Sequence, residues 1–436
     1  MGCVLFMSSL DTRSQEAFYA RDCIERLGCK VVLLDLSMGA YRECGADYTC
    51  IDVAHEAGVP FDQVSGAKGT NESMKTMVRG ATLIARRLLD ARKIAGVAGL
   101  GGASNTMALS LIMKGLPFGC PKLILSSSAA MPAYAGAYYG FKDVVMFHSC
   151  VDLNGLNPFV MDVIDRFAGM IAGVAGISRE RVAADTQAVG MTEFQFVEAC
   201  ARQVVRILES KGVQVIPFHS QGVGDRIMEE MIGDGLFRGA LDLVPAGLSE
   251  AMFGGNRAAG PDRLEKEMAS GIPVIFTPSG FDFLSCGPYE RRFSDPVWKR
   301  MGLEKRKLYI QDELRVQARI SKDEMEAVGR IFSERVNRAT GKVAVFVPLR
   351  GFSSLGVEGG ILRDPESDLA LIESLRRNLD KSVVELVEMD CTYRDDIFAQ
   401  AIADRFLEML EPGSDKGEDR EPFKTTQERI GQGASG

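Results

Sequence analysis

Ile94-Ala-Gly-Val-Ala-Gly-Leu-Gly-Gly-Ala-Ser-Asn-Thr106, followed by Leu116-Pro-Phe-Gly-Cys-Pro-Lys-Leu-Ile-Leu-Ser-Ser-Ser128, decides the fold class. A short apolar run ends in Gly99, Gly101 and Gly102 and gives way to a helix-like stretch, residues 106–113. Open α/β sheets bring backbone N–H groups up to an anionic ligand in this way. The second apolar run, residues 122–125, ends in Ser126, Ser127 and Ser128, so two neighbouring strand ends offer amides and hydroxyls to one crevice. The spacing fits neither the dinucleotide pattern G-x-G-x-x-G, because Ser104 stands at the third glycine, nor the phosphate-loop pattern, because no Gly-Lys-Ser/Thr follows. A tight turn with close helix packing explains these glycines as well as a ligand does.

Outward from that stretch the same grammar repeats. Residues 3–7 form a buried-type strand, Asp11 or Thr12 caps a helix running to Leu27, and residues 30–34 form a second strand, a parallel crossover. Residues 38–70 loosen into a long excursion of the kind that makes lids and binding loops. Residues 71–91 carry helical periodicity and feed the central strand. Beyond Ser128 come a tyrosine-bearing loop, a strand at 143–147 and a helix at 158–175. The alternation restarts at 188, with strands at 188–192, 213–218, 240–243, 274–276, 307–310, 342–347 and 382–386 and helices between them, one of them at 261–269 with proline in its first turn. The expected fold is α/β: two Rossmann-like open, mostly parallel sheets flanked by helices, as an old duplication would leave them. Gly101-Gly102 and Gly254-Gly255 give that idea slight internal support. The expected domains are residues 1–180, which bind nucleotide, and 185–410. Residues 411–436, polar and without apolar periodicity, are expected to be a disordered tail.

A chain of 436 residues with 46% hydrophobic and 25% charged residues can bury two cores. A net charge of -8 argues against a general nucleic-acid or anionic-membrane surface. Ten scattered cysteines without a C-x-x-C pair, and three histidines, make a zinc site unexpected and reduced thiols of a cytoplasmic protein expected.

Separated motifs then carry a resemblance over the chain up to about Glu411. They are Leu10-Asp-Thr-Arg13, Gly99-Leu-Gly-Gly102, Leu116-Pro-Phe-Gly-Cys-Pro-Lys122, Val151-Asp152 with Gly155-Leu-Asn157, Phe218-His219 with Gly222-Val-Gly224, Ala240-Leu-Asp242, Gly260-Pro-Asp-Arg263, Phe281-Asp282 with Gly287-Pro288, and Val347-Pro348 with Gly351-Phe-Ser353. The chain resembles the two-domain family named for the ATP-binding N-terminal domain of the tomato mosaic virus resistance protein. The resemblance implies a pair of Rossmann-like domains, a nucleotide site built on the glycine loop, self-association, and no known reaction. In the plant protein that domain is an inhibitor that binds a viral replication protein, and bacterial relatives are often joined to or encoded beside a barrel-fold enzyme. The family loop reads G-L-G-G-S-G-G-T, whereas Gly99-Leu-Gly-Gly-Ala-Ser-Asn-Thr106 has Ser104 and Asn105 in place of two glycines. Asn tolerates positive φ and Ser keeps a donor, so an anion can still be held with more side chain in the way.

The expected nucleotide contacts are Asp11, Thr12, Arg13, Gly99, Gly101, Gly102, Ser104, Asn105, Thr106, Ser126 and Ser127, with ATP, and Mg2+ beside it, as ligand. Asp11 either accepts from a ribose, holds a magnesium water, or caps its helix. Asp143 and Asp152 are further magnesium candidates, Arg13, Lys122 and Lys142 the nearest cations, and Tyr134, Tyr138 and Tyr139 either stack on a base or form an interface patch. In the second half His219 and Asp282 are expected as an acid–base pair in a cleft shared with the glycine loop, acting on a small phosphorylated or acidic metabolite. The other reading is a non-enzymatic interaction or regulatory protein whose nucleotide site has degenerated. A homo-oligomer and a protein partner such as a barrel-fold enzyme are expected on either reading.

Overall fold

In the computed structural model, residues 2–41, 43–66, 71–177 and 188–411 are described; the expected domain junction and the tail beyond 411 lie outside them. The chain divides into two compact units, Met1–Val182 and Ala183–Gly436.

Unit 1 is a five-stranded parallel sheet. In chain order it runs β1 (Cys3–Ser8), α1 (Leu10–Arg26), β2 (Lys30–Asp35), α2 (Cys50–Glu56), α3 (Phe61–Gly66), α4 (Asn71–Asp90), β3 (Gly96–Gly101), α5 (Ala103–Lys114), β4 (Lys122–Ser126), α6 (Pro132–Tyr139), β5 (Val145–His148) and α7 (Pro158–Ala175). The strands lie in the order β2-β1-β3-β4-β5, all parallel. The central strand β3 is buried along its whole length, as its apolar and glycine sequence requires between two helical layers. Helix α4 presents Met77, Ala81, Ile84, Ala85, Leu88 and Leu89 to one core, a stripe at helical spacing. The described part of the long excursion before α4 carries the short helices α2 and α3. Thr49 and Asp52 form a capping box that starts α2, and α2 packs on α4 where Gly80 has no side chain, since a Cβ there would sit 1.9 Å from the Val53 carbonyl oxygen.

Unit 2 repeats the architecture with additions. Its main sheet contains β6 (Val189–Glu193), β7 (Val215–His219), β8 (Ala240–Asp242), β9 (Val274–Phe276), β13 (Val343–Pro348) and β14 (Val384–Met389), all parallel, in the order β14-β13-β9-β8-β6-β7. Around it lie α8 (Glu198–Ser210), α9 (Gly224–Gly233), α10 (Gly247–Phe253), α11 (Glu265–Ala269), α12 (Pro296–Met301), α13 (Lys322–Val336), α14 (Pro365–Asn378) and α15 (Asp396–Leu410). Between β9 and α13 the chain inserts an antiparallel sheet, β10 (Phe283–Ser285), β12 (Val316–Arg319) and β11 (Leu308–Ile310), in the order β10-β12-β11. The strand expected at 307–310 thus belongs to the antiparallel sheet rather than to the parallel one, and sequence patterning predicts no strand at β10 or β12. The helix expected from Pro261 begins only at Glu265, because Leu264 is left-handed with φ 78°. Among the described residues no helix is long and apolar enough to cross a membrane.

Candidate functional site

The order β2-β1-β3-β4-β5 makes the chain turn opposite ways from β1, toward β2 on one side and toward β3 on the other. Open sheets bind ligands in the crevice that such a switch leaves outside the strands' carboxyl ends. Here the crevice lies between Ser8-Ser9 at the end of β1 and Gly101-Gly102 at the end of β3. Gly102 precedes α5 with φ −82° and ψ −168° and supplies no side-chain cap, so the first-turn amides of a 12-residue helix have no capping side chain. A Cβ on Gly102 would have only the Ser127 hydroxyl near it, at 3.8 Å. Ser104, in that first turn, is exposed, and Ser127, whose hydroxyl faces Gly102, is half-buried.

Asn105 does not point outward. Its Nδ2 donates to the Leu100 carbonyl at 2.5 Å, and its Oδ1 accepts from the Ser9 hydroxyl at 3.3 Å. The Ser8 hydroxyl donates to the same Leu100 carbonyl at 3.2 Å, so one carbonyl ties the ends of β1 and β3 together. On the other flank Asp35, at the end of β2, accepts from the Leu10 amide at 3.0 Å and from Ser37, whose hydroxyl accepts from the Asp11 amide at 2.9 Å. Asp35 therefore occupies the N-terminus of α1, the role expected for Asp11 or Thr12, and the helix begins at Leu10. Asp11 and Thr12 are exposed; Asp11 Oδ2 accepts from the Gly39 amide at 3.3 Å.

Several expected contacts belong to the scaffold. Gly99 is a packing glycine: a Cβ there would lie 2.5 Å from both the Met7 carbonyl oxygen and Leu109 Cδ2. Thr106 and Ser126 are fully buried and bond each other at 2.7 Å, with Ser126 continuing to Ser128 and Ser128 to the buried Tyr138. Tyr134 and Tyr139 remain exposed on α6. Arg13 is turned toward Asp152 at 3.9 Å and donates to the Thr12 carbonyl. Lys122 begins β4, at the opposite end from Ser126. There it is buried and donates to Pro117 and Cys120 carbonyls and to Asp143 at 2.6 Å. Asp143 precedes β5 and shares that far end, so neither residue lies at the crevice. Lys142 sits over the Phe118 ring, 3.9 Å from its centroid.

In unit 2 the structure does not pair His219 with Asp282. His219 ends β7, an edge strand, is exposed, and contacts Gln221 at 2.7 Å. Asp282 lies just before β10 and is fully buried; it accepts from the Ser353 hydroxyl at 2.7 Å and has Arg319 at 3.9 Å. Burial pushes its carboxyl up against the pull of Arg319. It is held in a core network rather than in a cleft. Arg319 also donates to Asp368 at 2.5 Å, and burial raises Asp368 to about 6.

Sequence reasoning missed a buried polar cluster around Arg263. Arg263, with no exposed surface, is ringed by Asp242 in a short contact, Glu229 at 3.2 Å, Glu267 at 3.3 Å and Asp225 at 3.7 Å, all of them buried. Thr192, at the end of β6, donates to Asp242 at the end of β8 at 2.5 Å, so the cluster stands at the β6/β8 switch point of this sheet. Burial raises the carboxyls of Asp225, Glu229 and Glu267. Burial also opposes the charge on Arg263, but the four carboxylates more than offset it. Neither carboxylate oxygen of Asp225 has a hydrogen-bond partner. The signal was available: Asp242 is a lone acid inside the apolar run Ala240-Leu-Asp-Leu-Val244, and Asp225/Glu229 and Arg263/Glu267 are both spaced by four. A hollow of 350 Å³ between α13 and α14, lined by Asp323, Glu326, Arg330 and Arg377 among others, gathers no such chemistry. Among the described residues no group of His, Cys, Asp or Glu is arranged to hold a metal ion.

Comparison with known proteins covers both units. Residues 2–180 match the N-terminal domain of the uncharacterised protein family UPF0261, and residues 186–410 match its C-terminal domain. A UPF0261 protein of Clostridium tetani is 29% identical over 408 residues, 94% of this chain and 99% of that protein. One from Rhizobium meliloti is 27% identical over 412 residues, 94% of this chain and 99% of its own length. The ToMV resistance protein Tm-1 of Solanum lycopersicum is 29% identical over 326 residues, 73% of this chain but 42% of that protein.

Proposed function

We propose, from the premise that this chain belongs to the UPF0261 family across both its units, that unit 1 is a nucleotide-binding module. The observation that carries the reading is the strand order, which puts Gly101-Gly102 and the uncapped start of α5 at the β1/β3 switch point. The donors there fit a phosphoryl group: the first-turn amides of α5, the Ser104 hydroxyl and the Ser127 hydroxyl. Asp11, exposed at the mouth, is placed to accept from a ribose hydroxyl or to hold the water shell of a magnesium ion that accompanies ATP. The groups at this mouth bind and orient; they include no nucleophile–base pair, and no reaction is assigned. Titration calorimetry with ATP and magnesium tests the reading. Heat of binding with a thermal shift supports it; neither signal with millimolar ATP nor with millimolar adenosine monophosphate refutes it.

The Asn105 amide across the crevice favours a second reading, an interaction or regulatory protein that has kept the fold and narrowed its ligand site. Exposed Tyr134 and Tyr139 on α6 support a homo-oligomer, since aromatic residues are enriched at interfaces. A monomer mass by light scattering at micromolar concentration would overturn that part. Ten cysteines scattered without a C-x-x-C pair support a reducing, cytoplasmic compartment. A partner enzyme of barrel fold remains part of the proposal, to be sought by co-purification with the products of neighbouring genes.

A further inference from the structure

We propose that Asn105 is a specificity-determining residue that restricts the unit 1 site to a nucleotide carrying a single phosphoryl group, an inference that rests on the nucleotide reading above. In a glycine loop the bare Cα of the inner glycine lets a pyrophosphate come up against the backbone. Here that approach is taken by the protein itself. A Cβ placed on Gly101 would lie 2.5 Å from Asn105 Cβ and 2.7 Å from its Nδ2, so the amide lies against the face of Gly101. It is held at both ends, by Leu100 on β3 at 2.5 Å and by Ser9 beyond β1 at 3.3 Å, and so bridges the two strands that flank the crevice. The pair makes a bar across the inner part of the site. On the outer side, a Cβ placed on Gly102 would have only the Ser127 hydroxyl near it, at 3.8 Å. That side presents the first-turn amides of α5 and the Ser104 and Ser127 residues to a tetrahedral group, while Asn105 occupies the way inward along Gly101.

Charge agrees with shape. Among the described residues the segments 8–13, 35–39, 99–106 and 126–131 contain one cation, Arg13, and it faces Asp152. The same segments bring the carboxylates of Asp11 and Asp35. A monophosphate needs little more than the oriented amides of α5, whereas a polyphosphate chain brings charge that Arg13, already turned toward Asp152, does little to neutralise and that Asp11 and Asp35 repel.

The test is calorimetric titration of the purified full chain with adenosine monophosphate and, separately, with ATP plus magnesium, for wild type, Asn105→Gly, Asn105→Ala and Ser9→Ala, each first checked for native circular dichroism. Wild type is expected to bind the monophosphate at least about tenfold tighter than ATP with magnesium. Removing the amide should raise ATP affinity about tenfold while leaving the monophosphate within about threefold, and Ser9→Ala, which frees one end of the bar, should move the ratio the same way by less. ATP binding to wild type as tightly as the monophosphate, or a ratio unchanged in all three variants, overturns the restriction while leaving the nucleotide reading intact. No heat from either nucleotide with any of the proteins overturns the nucleotide reading itself, and this inference falls with it.

Discussion

At the switch point of unit 1, β1 and β3 end in small hydroxyls, glycine and one amide; at the corresponding point of unit 2, β6 and β8 end in Thr192 and Asp242, which bond each other and draw Arg263 into a ring of four carboxylates. The strand order is the same, with the second strand outside the first and the third on its other side. Topology therefore creates the crevice in both units, and side chains decide what fills it. In unit 1 the helix that follows starts at an uncapped glycine with open space beside it. In unit 2 the helix that follows starts at Gly247, where a Cβ would lie 2.3 Å from Asp225 Oδ2 and 2.5 Å from Ala259 Cβ. One switch point has room for a ligand, and the other is packed with the protein's own charges.

The most direct way to break this contrast is Arg263→Met. Removing the guanidinium leaves Asp225, Glu229, Asp242 and Glu267 buried without their shared counter-charge, and truncating one side of a buried ion pair costs about 3–5 kcal/mol. The chain's single tryptophan, Trp298, is buried in unit 2, so its fluorescence reports unfolding of that unit. The fluorescence transition is expected to fall sharply, while hydrogen exchange of peptides spanning β3 and α5 stays as in wild type. An unchanged fluorescence transition would mean that the cluster is neither as buried nor as interdependent as its geometry states.

The next effect is a pH dependence. Burial lifts Asp368 from 3.8 to about 6, with Arg319 pulling it down and Asp282 pushing it up. A carboxyl whose folded value lies above its unfolded value holds its proton more tightly in the folded state. Its contribution is complete below about pH 3.8 and is lost as pH rises through about 6. The difference in unit 2 stability between wild type and Asp368→Asn, read by Trp298 fluorescence, should therefore shift against wild type by about 3 kcal/mol across that window and level off above it. A flat difference from pH 4 to 7 would contradict the burial of that carboxyl.

How much of this could be read from the chain depends on whether the deciding contact was local. The glycine turn, the helix after it and the serine turn were visible because each is a short apolar run ended by small residues. Lys122 was misplaced because four residues of strand, at about 3.3 Å each, put it at the far end of β4 from Ser126. His219 and Asp282 both follow strands, but strand order is not written in a linear pattern. β6 and β8 separate β7 from β9, roughly 14 Å at about 4.8 Å per strand, and Asp282 lies beyond β9, buried just before β10 of the antiparallel sheet, whereas His219 ends the edge strand β7. β10 and β12 are three and four residues long and pair across 30 residues of chain or more, Phe283 with Arg319, so no periodicity reveals them. The carboxylate ring of Arg263 is likewise assembled from α9, β8 and α11, and its sequence signals are the out-of-place Asp242 and the pairs Asp225/Glu229 and Arg263/Glu267.

Two glycine substitutions sharpen the contrast further. Gly247→Ala forces a methyl group into Asp225 and Ala259, a rigid and fully packed site, and overpacking of this kind destabilises by about 1–3 kcal/mol. The fluorescence transition of unit 2 should move down accordingly, and less than in Arg263→Met.

Gly102→Ala is its counterpart in unit 1 and should have the smallest effect on stability. Gly102 has φ −82° and ψ −168°, extended backbone that any residue adopts, and an added Cβ would meet only the Ser127 hydroxyl, at 3.8 Å, an ordinary contact. The change removes no side-chain cap, because none is present, so the expected loss is about 0.5–1 kcal/mol, the preference for glycine over alanine at a helix start. Hydrogen exchange of the peptides covering β3 and α5 is the measurement, since Trp298 does not report this unit. The same methyl would stand beside the amides and hydroxyls assigned to a phosphoryl group. Nucleotide binding should weaken while exchange rates barely change, a separation that a purely packing glycine such as Gly99 does not allow. If Gly102→Ala loosens unit 1 as much as Gly247→Ala loosens unit 2, the start of α5 is packed rather than open, and the contrast between the two switch points disappears.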